Sequence, residues 1–131
     1  DVEAGGLLNN GICQTAANNS VCTLRAAIMK ANHYPGGGVT INLPPDVLPY
    51  KLTKLPTGTD DEFTGDLNIT NTLTLVGASP GAVTTLVDGN GTDRVFRIRT
   101  SGAVTITGMT IRNGKTNQVG GGILLEGVCC R

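Results

Sequence analysis

The sequence predicts an all-β protein, a parallel β-solenoid of about three to four coils with one capping α-helix at its N-terminal end. Three observations carry this. First, Val104-Thr105-Ile106 and Met109-Thr110-Ile111 are alternating apolar–Thr–apolar runs separated only by Thr107-Gly108. That joint is too short for a crossover helix and lacks a hairpin signal such as Asn-Gly, so it reads as a corner, with Gly108 in a conformation that a Cβ would hinder. Second, Leu73-Thr74-Leu75-Val76-Gly77 copies Val104 to Gly108 in residue type at an offset of 104 − 73 = 31, and Leu86-Val87-Asp88-Gly89 echoes Thr110 to Gly114 with 111 − 87 = 24. Unequal offsets then mean loops of varying length at one corner. Third, 19 Gly, two Phe, two Tyr and no Trp suit a narrow core of stacked aliphatic ladders rather than a wide globular one. A β-sandwich is the rival architecture, and the near-copying of strand-Gly-strand units favours the solenoid.

By length the 131 residues form one domain, with an N-terminal arm and capping helix over 1–38 and coils over 39–131. Asp1 to Ile12 is Gly- and Asn-rich around a small apolar island, and reads as an edge strand or an arm. Cys13 and Cys22 enclose a polar loop. A disulfide between them would staple a weak end, with two free thiols as the alternative. Thr23 to Asn32 is the one convincing helix, because Leu24, Ala27, Ile28 and Ala31 fall at i, i+3, i+4 and i+7. Ser20 or Thr23 caps its start, and Pro35-Gly36-Gly37-Gly38 stops it. So short a helix must lie on something apolar, and the end of the first coil is the obvious surface. Strands are expected at 39–43, 50–52, 67–69, 73–75, 84–87, 95–98 and 104–111, with Gly120 to Leu125 opening a further coil. Residues 57–65 form a polar loop.

The formal charge is zero, with no basic run or aromatic–basic platform, which excludes electrostatically driven nucleic-acid binding. No window is apolar enough to span a membrane. Four cysteines suit an exported protein, secreted or held at the cell surface.

One stretch is similar to a known family. Cys22-Thr23-Leu24-Arg25-Ala26-Ala27-Ile28, followed by Ala31-Asn32, resembles the Cys-Ser/Thr-Leu-Arg-Glu/Asp-Ala-Ile…Ala-Asn cap of a large family of exported microbial parallel β-helix proteins. The likeness continues through Leu73 to Gly77, Val87 to Gly91, Arg94-Val95-Phe96, Val104 to Gly114 and Gly120 to Ile123. It implies a right-handed β-helix related in shape to pectate lyases, on secreted or surface-anchored proteins whose activities are mostly undefined. Leu24, Arg25, Ile28 and Ala31 are then the cap residues. Ala26 replaces the acid that usually follows the motif's Arg, so Arg25 must find another partner.

Catalysis is not expected. A glycosidase needs two positioned carboxylates, and a lyase a base facing calcium-binding acids. Asp60, Asp61, Glu62 and Asp66 form the one acidic cluster, without a second set on neighbouring coils, and no acids match Arg97 and Arg99. Asp60, Asp61 and Asp66 are the best calcium candidates, and Asp88 to Asp93 has loop-spaced oxygens; solvated loops are the preferred reading of both. His33 reads as a helix-end residue, and Thr74, Thr105, Thr107 and Thr110 as ordinary outward strand residues. No cofactor is expected. A non-catalytic structural or adhesive role follows, as a self-assembling filament subunit or as a carbohydrate- or surface-binding module of a larger adhesin, with a polysaccharide lyase or hydrolase a weaker alternative. The last coil lacks a second amphipathic cap, so either the chain continues or a neighbouring copy covers its edges, and in the second case Cys129 or Cys130 would bond between subunits.

Overall fold

The computed structural model describes residues 22–45, 48–78 and 84–127. Helix α1 (Leu24–Asn32) begins at an extended Thr23 (φ −82°, ψ 162°), whose Oγ1 accepts a hydrogen bond from the Ala26 amide at 3.2 Å. Such a cap is worth about 1 kcal/mol. At the other end, Asn71 Nδ2 donates to the carbonyl oxygens of Ala31 (3.3 Å), Asn32 (3.3 Å) and Tyr34 (3.1 Å), tying the helix end to the β3–β4 corner.

Nine strands follow among the described residues: β1 (Val39–Leu43), β2 (Tyr50–Lys51), β3 (Leu67–Ile69), β4 (Leu73–Gly77), β5 (Thr85–Asp88), β6 (Phe96–Ile98), β7 (Val104–Thr107), β8 (Met109–Arg112) and β9 (Ile123–Leu125). They form three parallel three-stranded sheets, ordered β1-β4-β7, β2-β5-β8 and β3-β6-β9. Each sheet takes every third strand, so the chain passes through all three sheets in each successive triplet. This order is compatible with the expected solenoid. The registers match both repeats seen in the sequence, pairing Leu73 with Val104 and Val87 with Ile111. Gly120 to Leu125 departs from expectation: β9 pairs with β6 and closes the third triplet rather than opening another.

In-register apolar residues stack into ladders: Val39–Leu73–Val104, Ile41–Leu75–Ile106, Tyr50–Val87–Ile111 and Leu67–Phe96–Ile123. Their inner members, Leu73, Leu75, Val87 and Phe96, are fully buried. Thr85 is the buried exception in such a layer, and its hydroxyl is satisfied, donating to the Leu43 carbonyl (3.0 Å) and accepting from the Ala78 amide (2.9 Å).

The loops vary at all three corners, not one, and least between the third and first sheets, where they run 70–72 and 99–103. Between the first and second sheets the connections run 44–49, 78–84 and the single Gly108; between the second and third they run 52–66, 89–95 and 113–122. The Gly108 corner is as tight as the sequence required. Its φ is +68°, and a Cβ there would collide with the carbonyl of Gly77 stacked below it.

Helix α1 packs on β1 and β3. Leu24, Ile28 and Ala31 join one core cluster with Leu43, Leu67 and Ile69, against which Val39 and Ile41 also pack. Three buried helix residues lie off the expected stripe, Arg25, Ala26 and Met29, while the stripe's Ala27 is only half-buried. Met29 adds apolar bulk, and Arg25 is 1% exposed despite its charge. Cys13, Cys129 and Cys130 and the arm 1–12 lie outside the described residues, as does Ser20.

Candidate functional site

The long second-corner connection, 52–66, determines where polar chemistry collects. It folds over the outward side of β3, so Leu67, Asn68 and Ile69 are all buried instead of alternating. Asn68, outward by pleat, is thereby enclosed: its Nδ2 donates to Asp60 Oδ1 (3.1 Å), the Asp61 carbonyl (2.7 Å) and Asp66 Oδ1 (3.3 Å).

Arg25 reaches the same loop from the helix. Nη1 donates to the carbonyl oxygens of Asp66 (3.0 Å) and Glu62 (3.3 Å), and Nη2 to that of Gly65 (2.6 Å). Backbone carbonyls thus satisfy the Arg25 guanidinium. Burial lowers the guanidinium's pKa, while Asp66, Asp61 and Asp93 act to raise it. The helix end grips the loop and β3 too, through Asn32 Nδ2 on Glu62 Oε2 (3.4 Å) and the Asn68 carbonyl (2.8 Å), and His33 Nε2 on Glu62 Oε1 (2.8 Å). His33 is therefore a helix-end residue tied to the loop.

The three calcium candidates do not act as a ligand set. Asp60 pairs with Arg97 and, at 3.0 Å, with Arg99. Asp61 Oδ1 accepts from the amides of Phe63 (2.9 Å) and Thr64 (3.0 Å), holding its own turn. Asp66 faces into the cluster. Among the described residues no group of three or more His, Cys, Asp or Glu side chains is placed to hold a metal ion.

Arg97 and Arg99 do have acidic partners, contrary to the sequence reading. Glu126 meets Arg97 in a two-point pair, Nε to Oε2 at 2.9 Å and Nη2 to Oε1 at 3.0 Å. The acids come from loops, Asp60 in one connection and Glu126 just past β9, so matching positions along strands could not reveal them. The sequence signal that does exist is the third-sheet offset, 97 − 68 = 29, which sets Asn68 beneath Arg97.

Asp93, read from the sequence only as a loop oxygen, was not connected to this cluster for the same reason. It enters from the next triplet's corner, and its Oδ2 accepts from the Asp66 amide at 3.2 Å. Asp66, Asp93, Asp60, Arg94 and Arg97 together border a cleft of about 170 Å³. Asp66 is 3% exposed. Its pKa is pushed up to about 6, first by burial and then by Asp93 and Asp60, with Arg97 and Arg94 opposing. What this arrangement can do chemically is hold and release one proton near pH 6.

Asp88 shows the opposite balance. Burial acts to raise its pKa, but hydrogen bonds from the Asn90 amide (2.8 Å), Arg112 Nε (2.8 Å) and Asn113 Nδ2 (2.9 Å) outweigh that and lower it. Of the outward threonines, Thr74 and Thr105 stack in register with Thr40, while Thr107 follows Val76 and Asn42. That is a mixed face, as a solvated sheet would have.

Comparison with family models, with curated proteins and with solved structures found no match to this chain.

Proposed function

We propose that the chain is a non-catalytic structural and adhesive protein: a right-handed parallel β-helix, capped by α1, exported to the cell surface or beyond, and stacking end to end with further copies. The cap motif Cys22 to Ile28, with Ala31-Asn32, supports the likeness to exported microbial β-helix proteins. The Cys13–Cys22 staple belongs to the same proposal.

One observation carries the assembly reading. α1 packs on β1 and β3 at one end of the strand stack, whereas among the described residues nothing pairs with the outer edges of β7, β8 and β9. Ile123 is 43% and Leu125 53% exposed there, and Val104, Ile106, Met109 and Ile111 are half-buried. Open edges and an apolar rung recruit strands, and contacts between unlike ends do not close, so they make filaments. The arm 1–12 is the proposed added strand, and Cys129 or Cys130 the proposed intersubunit bond.

A lyase or hydrolase is disfavoured by the way the acidic cluster is occupied. Asp60 is neutralised by two arginines, and both Asp93 oxygens accept backbone amides, Oδ2 from Asp66 (3.2 Å) and Oδ1 from Arg94 (2.8 Å). That leaves Asp66 without an available carboxylate partner of the kind both hydrolytic mechanisms require.

Sedimentation velocity over a wide concentration range tests the proposal. The intact chain should form large, concentration-dependent species, and either the Ile123→Lys/Leu125→Lys pair or deletion of residues 1–12 should abolish them. An intact chain that stays monomeric at high concentration under oxidising conditions overturns the filament reading and leaves the module of a larger adhesin.

A further inference from the structure

A second polar surface lies along the second corner, bordering the Asp66 cleft at Pro56, Gly58, Asp93 and Arg94. Two cavities of about 460 and 710 Å³ share Gly91 and Lys115 and so form one continuous groove. It draws on all three triplets, with Lys51 from the first, Asn90 from the second, and Lys115, Thr116, Asn117 and Gln118 from the third. The corner turns that shape it are fixed by backbone. Asn90 (φ 61°) and Asn113 (φ 54°) both take left-handed conformations, the Gly91 amide donates to the Asn113 carbonyl (2.8 Å), and the Lys115 amide to the Asp93 carbonyl (2.8 Å).

The charges in this groove do not cancel. Its two carboxylates are engaged from within: Asp88 by Arg112 and Asn113, and Asp93 by two backbone amides. Lys51 and Lys115 are exposed, and neither makes an ion pair with a described residue. The surface left to solvent is therefore two ammonium groups and the Arg94 guanidinium, which donates to the Val119 carbonyl and Gln118 Oε1, among amides and hydroxyls.

Their spacing bears on the ligand. Lys51 is in register with Asp88 and Asp88 with Arg112, so Lys51 and the third-triplet corner are two strand spacings apart, about 9–10 Å. A ligand with repeated charges suits that separation better than a single small anion. A nucleic acid would use aromatic stacking platforms, and the groove has no aromatic ring in its lining.

We propose that this groove binds an anionic polysaccharide, with carboxylate or sulfate groups on Lys51 and Lys115 and sugar hydroxyls on the flanking amides. The inference deepens the adhesive reading, on which it rests, and does not depend on assembly.

Affinity electrophoresis of the full chain through native gels tests it, with alginate as polyuronate, chondroitin sulfate as sulfated glycan, and dextran and single-stranded DNA as controls. Both anionic glycans should retard the chain and dextran should not, and the retardation should weaken as salt is raised. Lys51→Gln/Lys115→Gln should reduce the affinity by roughly tenfold at unchanged melting temperature, as expected for two exposed charge contacts. Lys54→Gln, outside the groove, should change nothing. Retention of the double variant equal to that of the parent would place the glycan site elsewhere, overturning this inference while leaving the adhesive reading intact. No retention by any glycan overturns both. Equal retention by single-stranded DNA overturns the assignment to carbohydrate.

Discussion

Replacing Asp66 with Asn should make the protein more stable at neutral pH. Asp66 is 3% exposed, and its carboxyl is held at about 6 against an ordinary value of 3.8. A raised pKa means that the folded state prefers the protonated acid. Its stabilising contribution is therefore fully present below the unfolded value, is lost as pH rises through about 6, and stays lost above it. Two pKa units correspond to about 3 kcal/mol; the cleft beside Asp66 admits water, so the expected change is nearer about 2 kcal/mol. Asn preserves the shape and leaves Oδ1 to accept from Asn68 Nδ2. It also removes one of three neighbouring negative charges. Urea unfolding of both proteins between pH 4 and 8 is the assay. The difference between the two curves isolates Asp66 from Asp88 and every other titrating group. Asp66→Asn should gain on the parent steadily between about pH 4 and 6 and then hold a constant advantage, equivalent to roughly 7 °C in Tm. Parallel profiles, or a variant less stable than the parent at pH 7.5, would refute the assignment of a buried, proton-holding carboxyl.

Three further outcomes are expected. Ile28→Asp sets a carboxylate where the side chain is 1% exposed, and should cost on the order of 4 kcal/mol; an unchanged melting temperature would sink the placement of α1 over the core. Arg25→Gln, which withdraws a donor group from three carbonyls, should cost about 2–3 kcal/mol and speed amide exchange across residues 62–66 ahead of the strands; uniform exchange would count against the anchoring role. Gly108→Ala forces a Cβ onto a residue at φ +68° and against the Gly77 carbonyl, and should cost at least about 2 kcal/mol in chemical denaturation, whereas Gly91→Ala, with open space around it, should cost only the left-handed backbone penalty.

What could be read from the sequence was whatever repeats. The ladders Leu73–Val104 and Val87–Ile111 were visible because a strand's pattern is local and its copy comes back a fixed distance later. α1 was visible because capping chemistry and a 3.6-residue period are written within ten residues. The polar cluster was not, because its members arrive from connections. Asp60, Asp93 and Glu126 sit on three different loops whose lengths do not repeat, so no spacing rule brings them to Arg97. Asn68 illustrates the same limit from the other side: its alternation places it outward correctly, yet it is buried because a fifteen-residue connection, 52–66, closes over it.

Arg25 shows how one buried charge can shape a loop. A cap that carries Arg beside Ala rather than beside an acid has to satisfy a buried cation by other means, and carbonyl oxygens can do so only if a loop presents several of them in one place. Residues 62–66 do this, with oxygens of Glu62, Gly65 and Asp66 turned toward the guanidinium. Gly65 takes φ +64° at that bend. The same turn places Asp66 inside, where it meets Asp93 and Asp60 and keeps its proton up to about pH 6. The buried guanidinium of Arg25, the shape of the loop and the raised acidity constant are thus linked by one local geometry, and the Arg25→Gln and Asp66→Asn variants should prove non-additive: once the loop loosens, water reaches Asp66, and the gain from removing its charge should shrink by about half or more.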